Sequence, residues 1–204
     1  MIRVATTHPQ WALGFADEVW WSRFAQPTMR AWQAPDQPAR RSAPVPLVGD
    51  RDPAALGCYG VLPRPSPATG TGEPMLLRFV DGRPVSAVTI AVLERWSMQL
   101  FSMGQTALIL IRDSAPWHIS RAVRTWLRQH NQAFKGGTVG VRIMVAKPPI
   151  KSPWLNPIEP KWTHGKRAAV TSGRLLTAQD LADRGCAYYG CAHEPHVVQP
   201  QKAA

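Results

Sequence analysis

Apolar and aromatic residues follow one another in three segments near the start of the chain, and this pattern predicts three β-strands. The predicted strands cover residues 12–24, 55–62 and 75–80. The stretches between them are rich in proline and glycine, which favour loops over helices or strands. We therefore expect the three strands to pair as a meander joined by long loops.

A different spacing begins after the third strand. Apolar residues recur every three or four positions over residues 85–101, which predicts a helix with one buried face. The continuous apolar run Ala107–Ile111 predicts a central strand covered on both faces. Ser120 suits the N-cap of the next helix, whose predicted inner stripe is Val123, Trp126, Leu127 and His130. The remaining predicted elements are a strand at 141–146, a helix from near Asn156 to Ala169, and a helix at about 177–189. This order predicts one mixed α/β domain.

Length and composition indicate the number of domains and the kind of binding partner. A chain of 204 residues suits one domain, and we expect a short lead at 1–10, a domain at 11–195 and a tail at 196–204. The net charge of 24 − 13 = +11 favours nucleic acid as the partner. A membrane partner is not expected, because no apolar run approaches the roughly 20 residues that span a bilayer. With no signal peptide at the start, we expect three reduced cysteines and a cytoplasmic, nucleoid-associated protein.

Two acidic residues stand in apolar surroundings. Asp17 lies inside an aromatic strand, and Asp113 ends the most hydrophobic strand, where open α/β sheets place their functional sites. An unpaired carboxylate costs several kcal/mol to bury, so each group needs a cation or good hydrogen-bond donors. A salt bridge to a nearby arginine would satisfy either one. Two such acids on neighbouring strands favour a metal ion instead.

Glu159 is the third candidate. In the sequence NPIE, Asn156 suits an N-cap and Pro157 the first helical position, so Glu159 would stand at the third. A glutamate there can simply complete a capping box, and the spacing alone favours that interpretation. The residues around Glu159 favour a role as a metal ligand instead.

Three motifs together resemble one family. FADEVWWSR, LILIRDSAPWH and SPWLNPIEPKW are similar to the three catalytic motifs of the mariner-like bacterial insertion-sequence transposases, which belong to the DDE superfamily. The resemblance implies an RNase H-like fold, a mixed sheet flanked by helices, with Asp17, Asp113 and Glu159 as catalytic metal ligands. It also implies two Mg²⁺ (or Mn²⁺) ions, with Asp17 between them, and a reaction that cuts and joins DNA. Carboxylate oxygens suit such hard cations.

Other residues near the motifs are candidates for contact with double-stranded DNA. These candidates are His118, Lys161, Lys166 and Arg167. His118 could equally pack and bond locally at the start of a helix, and exposed charges commonly only solvate a surface. For the tryptophans beside the motifs, Trp117, Trp154 and Trp162, core packing is the default interpretation.

The sequence departs from the family at several points. Ser114 replaces the usual asparagine, Arg112 puts a cation beside Asp113, and the 159 − 113 = 46 positions to Glu159 exceed the common spacing. No helix-turn-helix region precedes the first motif, so we expect a separate helix-turn-helix protein or reading frame, and a homodimer on DNA. An inactive relic that binds DNA, and a stand-alone RNase H-like nuclease, remain alternatives. The C-terminal Cys186, Cys191, His193 and His196 could bind zinc, although their spacing is not a usual structural pattern.

Overall fold

The computed structural model describes residues 7–25, 44–46, 48–64, 75–135, 140–149, 155–170 and 174–198. Its strands are β1 (Trp11–Ser22), β2 (Ala55–Pro63), β3 (Leu76–Asp81), β4 (Ala107–Ile111), β5 (Arg142–Ala146) and β6 (Val197–Val198). Its helices are α1 (Ser86–Ser102), α2 (Pro116–Ile119), α3 (Arg121–Lys135), α4 (Glu159–Ala169) and α5 (Ala178–Tyr189). The proline-rich segments 35–46 and 63–74, for which the sequence predicts loops, lie largely outside the described residues.

All six strands form one mixed sheet in the order β5-β4-β1-β2-β3-β6. The predicted meander is confirmed, because β2 pairs antiparallel with both β1 and β3. On its other side β1 pairs parallel with β4, so that Phe15 faces Ile111. Strand β1 is therefore central, and the end of β4 lies beside the middle of β1, two residues before Asp17.

Side chains alternate between two hydrophobic cores, one on each face of the sheet, because successive strand residues point in opposite directions. Tyr59 and Val61 of β2 pack on the core beneath α1 and α3, whereas Leu56 and Cys58 pack on the core beneath α4 and α5. The sheet is thus covered by helices on both sides. No helix among the described residues is long and apolar enough to cross a membrane.

Helix α3 follows its prediction closely. The Ser120 hydroxyl accepts a hydrogen bond from the Val123 amide at 3.2 Å, which confirms the N-cap. Asn131 fastens this helix to β5, since its side-chain amide exchanges two 2.8 Å hydrogen bonds with the backbone of Ile143. The arginines of α3 that lie off the apolar stripe, Arg121, Arg124 and Arg128, are exposed.

Two elements were not predicted. The four-residue helix α2 follows the second motif, and the two-residue strand β6 pairs in parallel with the end of β3. Strand β6 lies within 196–204, the segment for which the sequence predicts only a tail.

Candidate active site

Asp17 lies in the middle of β1, where its carboxylate is held from the α4 side of the sheet. The indole Nε1 of Trp162 donates a 3.0 Å hydrogen bond to Asp17 Oδ2. Burial, and secondarily repulsion by the Glu159 carboxylate, raise the pKa of Asp17 to about 7, although the Trp162 hydrogen bond acts in the opposite direction. Asp17 is therefore a carboxylate in an environment that disfavours its charge.

A glycine on the neighbouring strand makes room for this contact. Gly60 of β2 faces Asp17 in the strand register. A Cβ atom built at Gly60 would overlap the Trp162 ring, closer than packed atoms allow. The indole therefore occupies the space that a side chain at position 60 would fill, and this position directs it towards Asp17.

Glu159 is the first residue of α4, and the predicted start of this helix is wrong. The N-cap is Ile158, with no side-chain cap hydrogen bond, so Asn156 is not the cap and Glu159 completes no capping box. The reason is that Asn156 is tied to β1 instead: its amide donates to the Ala16 carbonyl at 3.3 Å. Glu159 is consequently left without the structural role that the sequence favours on spacing alone.

Lys166 is a cation that interacts with both of these acids. It is partly buried on α4, and desolvation lowers its pKa despite the opposing attraction of Asp17 and Glu159. The sequence places it two turns after Glu159 on the same helix face, and this electrostatic coupling agrees with that placement. One partly desolvated ammonium thus faces two carboxylates.

Asp113 differs from the sequence-based expectation of a buried carboxylate, which is wrong. Its side chain is 57% exposed, because β4 ends at Ile111 and the backbone leaves the sheet before Asp113. Among the described residues its cationic partner is His118, whose Nδ1 lies 2.7 Å from Asp113 Oδ1, rather than an arginine. The hydrogen bond from His118 holds the pKa of Asp113 below its usual value.

His118 stands at the centre of a second acidic group. It is 3% exposed, and its Nε2 contacts Glu18 Oε1, to which the Trp117 indole also donates at 3.2 Å. Burial acts to lower the pKa of His118, but its hydrogen bonds to Asp113 and Glu18 outweigh that effect and raise it. With both ring nitrogens engaged inside the protein, the geometry favours the local-bonding alternative over contact with DNA.

Glu18 is a site residue that the sequence reasoning missed, and Arg112, expected to act beside Asp113, bonds to His118 instead. Arg112 is buried, and its guanidinium donates to the His118 carbonyl at 3.0 Å, so it supports the histidine from behind. Glu18 follows Asp17 on β1 and so points to the opposite face of the sheet. This alternation, together with the histidine of the second motif, was the available signal for a second acidic group.

Asp17 interacts electrostatically with Glu159, and it shares a cleft with Asp113. Asp17 and Glu159 are electrostatically coupled, and Asp17, Glu18 and Asp113 line one cleft of about 240 Å³. Within the described ranges, only Glu18, Asp113 and His118 offer three potential ligand atoms that lie within 4.8 Å of one another. Asp17 and Glu159 are outside that group.

The remaining candidates are dispersed. Lys161 and Arg167 are exposed on α4, and Trp154 lies outside the described residues. Trp162 is buried, as core packing predicts, but it also binds Asp17. In the C-terminal segment, Cys186 is buried and Cys191 donates to its carbonyl at 3.6 Å. They form no close metal-binding group with His193 and His196 in the part of the chain that the structure describes.

Comparison with known proteins identifies the family. A family model described as DDE superfamily endonuclease matches residues 78–182, more than half of the 204-residue chain. This chain belongs to the DDE superfamily of endonucleases. The matched range of the DDE endonuclease includes Asp113 and Glu159 and begins after β1. No curated protein matches its sequence significantly.

Two solved structures share the fold of this DDE endonuclease. A Mos1 transposase paired-end complex with left transposon end has a TM-score of 0.62 and 16% identity, over 88% of this chain and 48% of the Mos1 chain. A Mos1 mariner paired end complex with Mn has a TM-score of 0.60 and 17% identity, over 87% and 48%. These matches confirm the predicted RNase H-like mixed sheet flanked by helices. The DDE endonuclease spans about half the length of the Mos1 chains.

Proposed function

We propose that this DDE endonuclease is the catalytic domain of a transposase that cuts DNA phosphodiester bonds and joins the released ends to new DNA. One observation carries the proposal. Asp17, on the central strand, is partly buried and bonded to the Trp162 indole, and burial together with repulsion by a second carboxylate, Glu159, raises its pKa to about 7. A folded protein that keeps two acids in this relation gains from a bound cation.

We propose Asp17, Asp113 and Glu159 as the residues that would hold two Mg²⁺ or Mn²⁺ ions. The donor set fits, because carboxylate oxygens suit hard divalent cations and the single positive charge of Lys166 balances only one of the two negative charges. One of the Mos1 structures is described as containing Mn, which supports the same class of ion. Such ions would activate the attacking hydroxyl and neutralise charge on the leaving oxygen.

The reaction is two successive displacements at phosphorus. A water oxygen bonds to the scissile phosphorus while the bond to the 3′-oxygen breaks, which leaves a 3′-hydroxyl and a 5′-phosphate. The 3′-hydroxyl then attacks a second phosphodiester and displaces another 3′-oxygen. In this proposal Trp162 orients Asp17, and His118 orients Asp113.

Glu18 is a positioning residue in this scheme. Because both ring nitrogens of His118 face carboxylates, each carries a proton, and a doubly protonated imidazole has no lone pair for a metal. The Glu18, Asp113 and His118 group is therefore better explained as a clamp on Asp113 than as a metal site. Arg112 adds to the clamp through the His118 carbonyl.

Double-stranded DNA is the proposed substrate. The net charge of +11 supports it, as do the exposed Lys161 and Arg167 of α4, the helix that begins at Glu159. Lys166 of the same helix would approach the scissile phosphate. The Mos1 relative is described in complex with a transposon end. We further propose that a separate helix-turn-helix protein or reading frame selects the DNA, that a homodimer processes two ends together, and that the protein acts at the nucleoid.

A cleavage assay tests the catalytic proposal. Supercoiled plasmid carrying the element ends is incubated with the protein and Mg²⁺ or Mn²⁺, and nicked and linear products are measured. We expect cleavage by wild type, and a loss of at least about 100-fold in Asp113→Asn and Glu159→Gln. Glu94→Gln, which removes an exposed carboxylate on α1, is the matched control and should cleave normally. Equal cleavage by wild type and Asp113→Asn, or none by either, would reject the proposal.

A further inference from the structure

A pair of histidines faces each other in the segment between α5 and β6. The Nε2 atoms of His193 and His196 are 3.1 Å apart. Their side chains are only 15% and 16% exposed, and both rings pack against Phe79. This pair belongs to neither acidic group of the proposed active site.

Each histidine is backed by a carboxylate from a different element. His193 Nδ1 lies 2.6 Å from Asp183 Oδ1 on α5, and His196 Nδ1 lies 2.7 Å from Asp81 Oδ1 at the end of β3. An ionised carboxylate only accepts hydrogen bonds, so a ring proton on each Nδ1 satisfies both short contacts. Gln179 Nε2 also lies 3.0 Å from His193 Nδ1, but its protons can go to the Asp183 oxygens, at 3.1 and 3.2 Å. The hydrogen bond from His193 holds the pKa of Asp183 below its usual value, which agrees with an ionised acceptor.

The two Nε2 atoms are consequently the free ends of both rings. In neutral imidazoles with Nδ1 protonated, each Nε2 bears a lone pair, and two lone pairs that face each other across 3.1 Å repel. Either a proton or a metal cation between them removes the repulsion. Metal-binding histidines almost always donate the other ring N–H to a carboxylate, a backbone carbonyl or water, and both histidines here have the carboxylate.

We propose that His193 and His196 bind one transition-metal ion, of the Zn²⁺ class, through their Nε2 atoms. At Zn–N distances of about 2.0–2.1 Å, two tetrahedral nitrogen ligands are separated by about 3.3 Å, close to the distance already present. Imidazole favours Zn²⁺, Ni²⁺ or Cu²⁺ over the Mg²⁺ class. Asp183 and Asp81 fix the rings, and water completes the coordination. Cys186 and Cys191 are not ligands, because among the described residues they join no close group with the histidines.

The position of the site indicates what the ion would do. The two carboxylates belong to α5 and β3, and the segment between the histidines leads directly into β6, which has only two residues paired with β3. An ion held there would fasten this segment across both elements. Metal binding would therefore stabilise the fold without participating in DNA cleavage.

Zn²⁺ titration of the full chain tests the proposal. Binding is measured by calorimetry with Mg²⁺ in excess, which occupies carboxylate sites, and the thermal midpoint is followed in parallel. We expect Zn²⁺ to bind wild type and raise its midpoint, and expect His193→Asn and His196→Asn to lose both effects. Asp81→Asn should weaken Zn²⁺ binding by about 10-fold or more, because it removes the support of His196.

His164→Asn is the matched control, since His164 is exposed on α4, and it should bind Zn²⁺ as wild type does. Circular dichroism without metal verifies that each variant is folded, and the half-exposed Asp81 provides a substitution with little risk to folding. If wild type and His196→Asn bind Zn²⁺ equally, or wild type binds none, the metal proposal is wrong and a shared proton explains the pair.

Discussion

Asp17 and Glu18 are adjacent acids whose environments have little in common. Strand alternation turns Asp17 towards Glu159 and Trp162, where burial and a like charge disfavour ionisation. It turns Glu18 towards His118, a cation that pairs with it. The two acids of this strand therefore differ in energy. The negative charge of Asp17 is disfavoured by its surroundings, whereas the negative charge of Glu18 is paired with His118.

The pH dependence of stability should reveal the cost of ionising Asp17. The pKa of Asp17 rises from 3.8 to about 7 on folding, so this group stabilises the metal-free fold most below pH 3.8. That stabilisation is lost as the pH rises towards about 7. At pH 8 in EDTA, Asp17→Asn should therefore raise the free energy of unfolding, on the order of 1–3 kcal/mol, as measured by urea denaturation.

The same comparison at pH 4 is the control, because Asp17 of the folded protein is then neutral, as asparagine is, and the gain should largely disappear. A gain that is equal at both pH values would contradict an origin in the ionisation of Asp17. Addition of Mg²⁺ at pH 8 should stabilise wild type more than Asp17→Asn.

Glu18→Gln tests the clamp on Asp113. The substitution keeps the shape of the side chain but removes the charge that holds His118, so Asp113 loses orientation rather than its own oxygens. We expect plasmid cleavage to fall by about 10- to 100-fold, with a higher Mg²⁺ concentration needed for half-maximal rate. If Glu18 had a purely structural role, the substitution would lower the thermal midpoint. The Mg²⁺ concentration for half-maximal cleavage by the folded protein would then stay unchanged.

At the scale of elements, periodicity in the sequence predicted most of the architecture. The stripe of α3, the N-cap at Ser120 and the meander of β1 to β3 are decided by local spacing, and each is confirmed. The start of α4 was wrong because Asn156 bonds to β1, a contact between residues 140 positions apart that local capping rules do not include. Strand β6 escaped prediction because two residues provide no period.

The candidate site shows the same division. Sequence motifs select Asp17, Asp113 and Glu159, but they contain no information about which acids a histidine will bind. The role of Glu18 depends on α2, which places His118 against β1, and no sequence motif contains that contact. Likewise, the exposure of Asp113 depends on where β4 ends relative to the sheet edge, which apolar pattern alone does not specify.

Gly60→Ala examines how β2 supports α4. The added Cβ would overlap the Trp162 ring, so the indole must move and its bond to Asp17 must weaken. We expect a loss of roughly 1–3 kcal/mol in the free energy of unfolding and reduced cleavage. Gly57→Ala on the same strand is the control, because its Cβ would meet only ordinary contacts at 3.7 Å or more. Equal effects of both substitutions would disprove this assignment.

At the scale of the whole molecule, charge and fold have separate consequences. A surplus of eleven positive charges attracts any polyanion, whereas the sheet determines where the acids stand. DNA binding by this chain alone should therefore be strong at low salt and nearly independent of base sequence, because phosphate contacts carry no sequence information.

Salt titration measures this directly. Fluorescence anisotropy with two unrelated duplexes of equal length should give the same Kd for each, and a linear fall of log affinity with log salt concentration. Lys161→Gln and Arg167→Gln should each reduce that slope by about one and weaken binding to both duplexes alike. Arg51→Gln, an exposed cation outside α4, should leave the slope unchanged. A strong preference for one duplex would contradict binding through phosphates alone.

The hydrogen bond between Trp162 and Asp17 also determines when, during synthesis of the chain, the surroundings of Asp17 form. It joins residues 145 positions apart, so a ribosome must complete α4 before the first acid acquires its final surroundings. A nascent chain that ends soon after Asp113 can already pair β1 with β4, yet it lacks Glu159 and the indole. An unfinished polypeptide therefore lacks the environment that raises the pKa of Asp17, and this part of the proposed active site forms only late in synthesis.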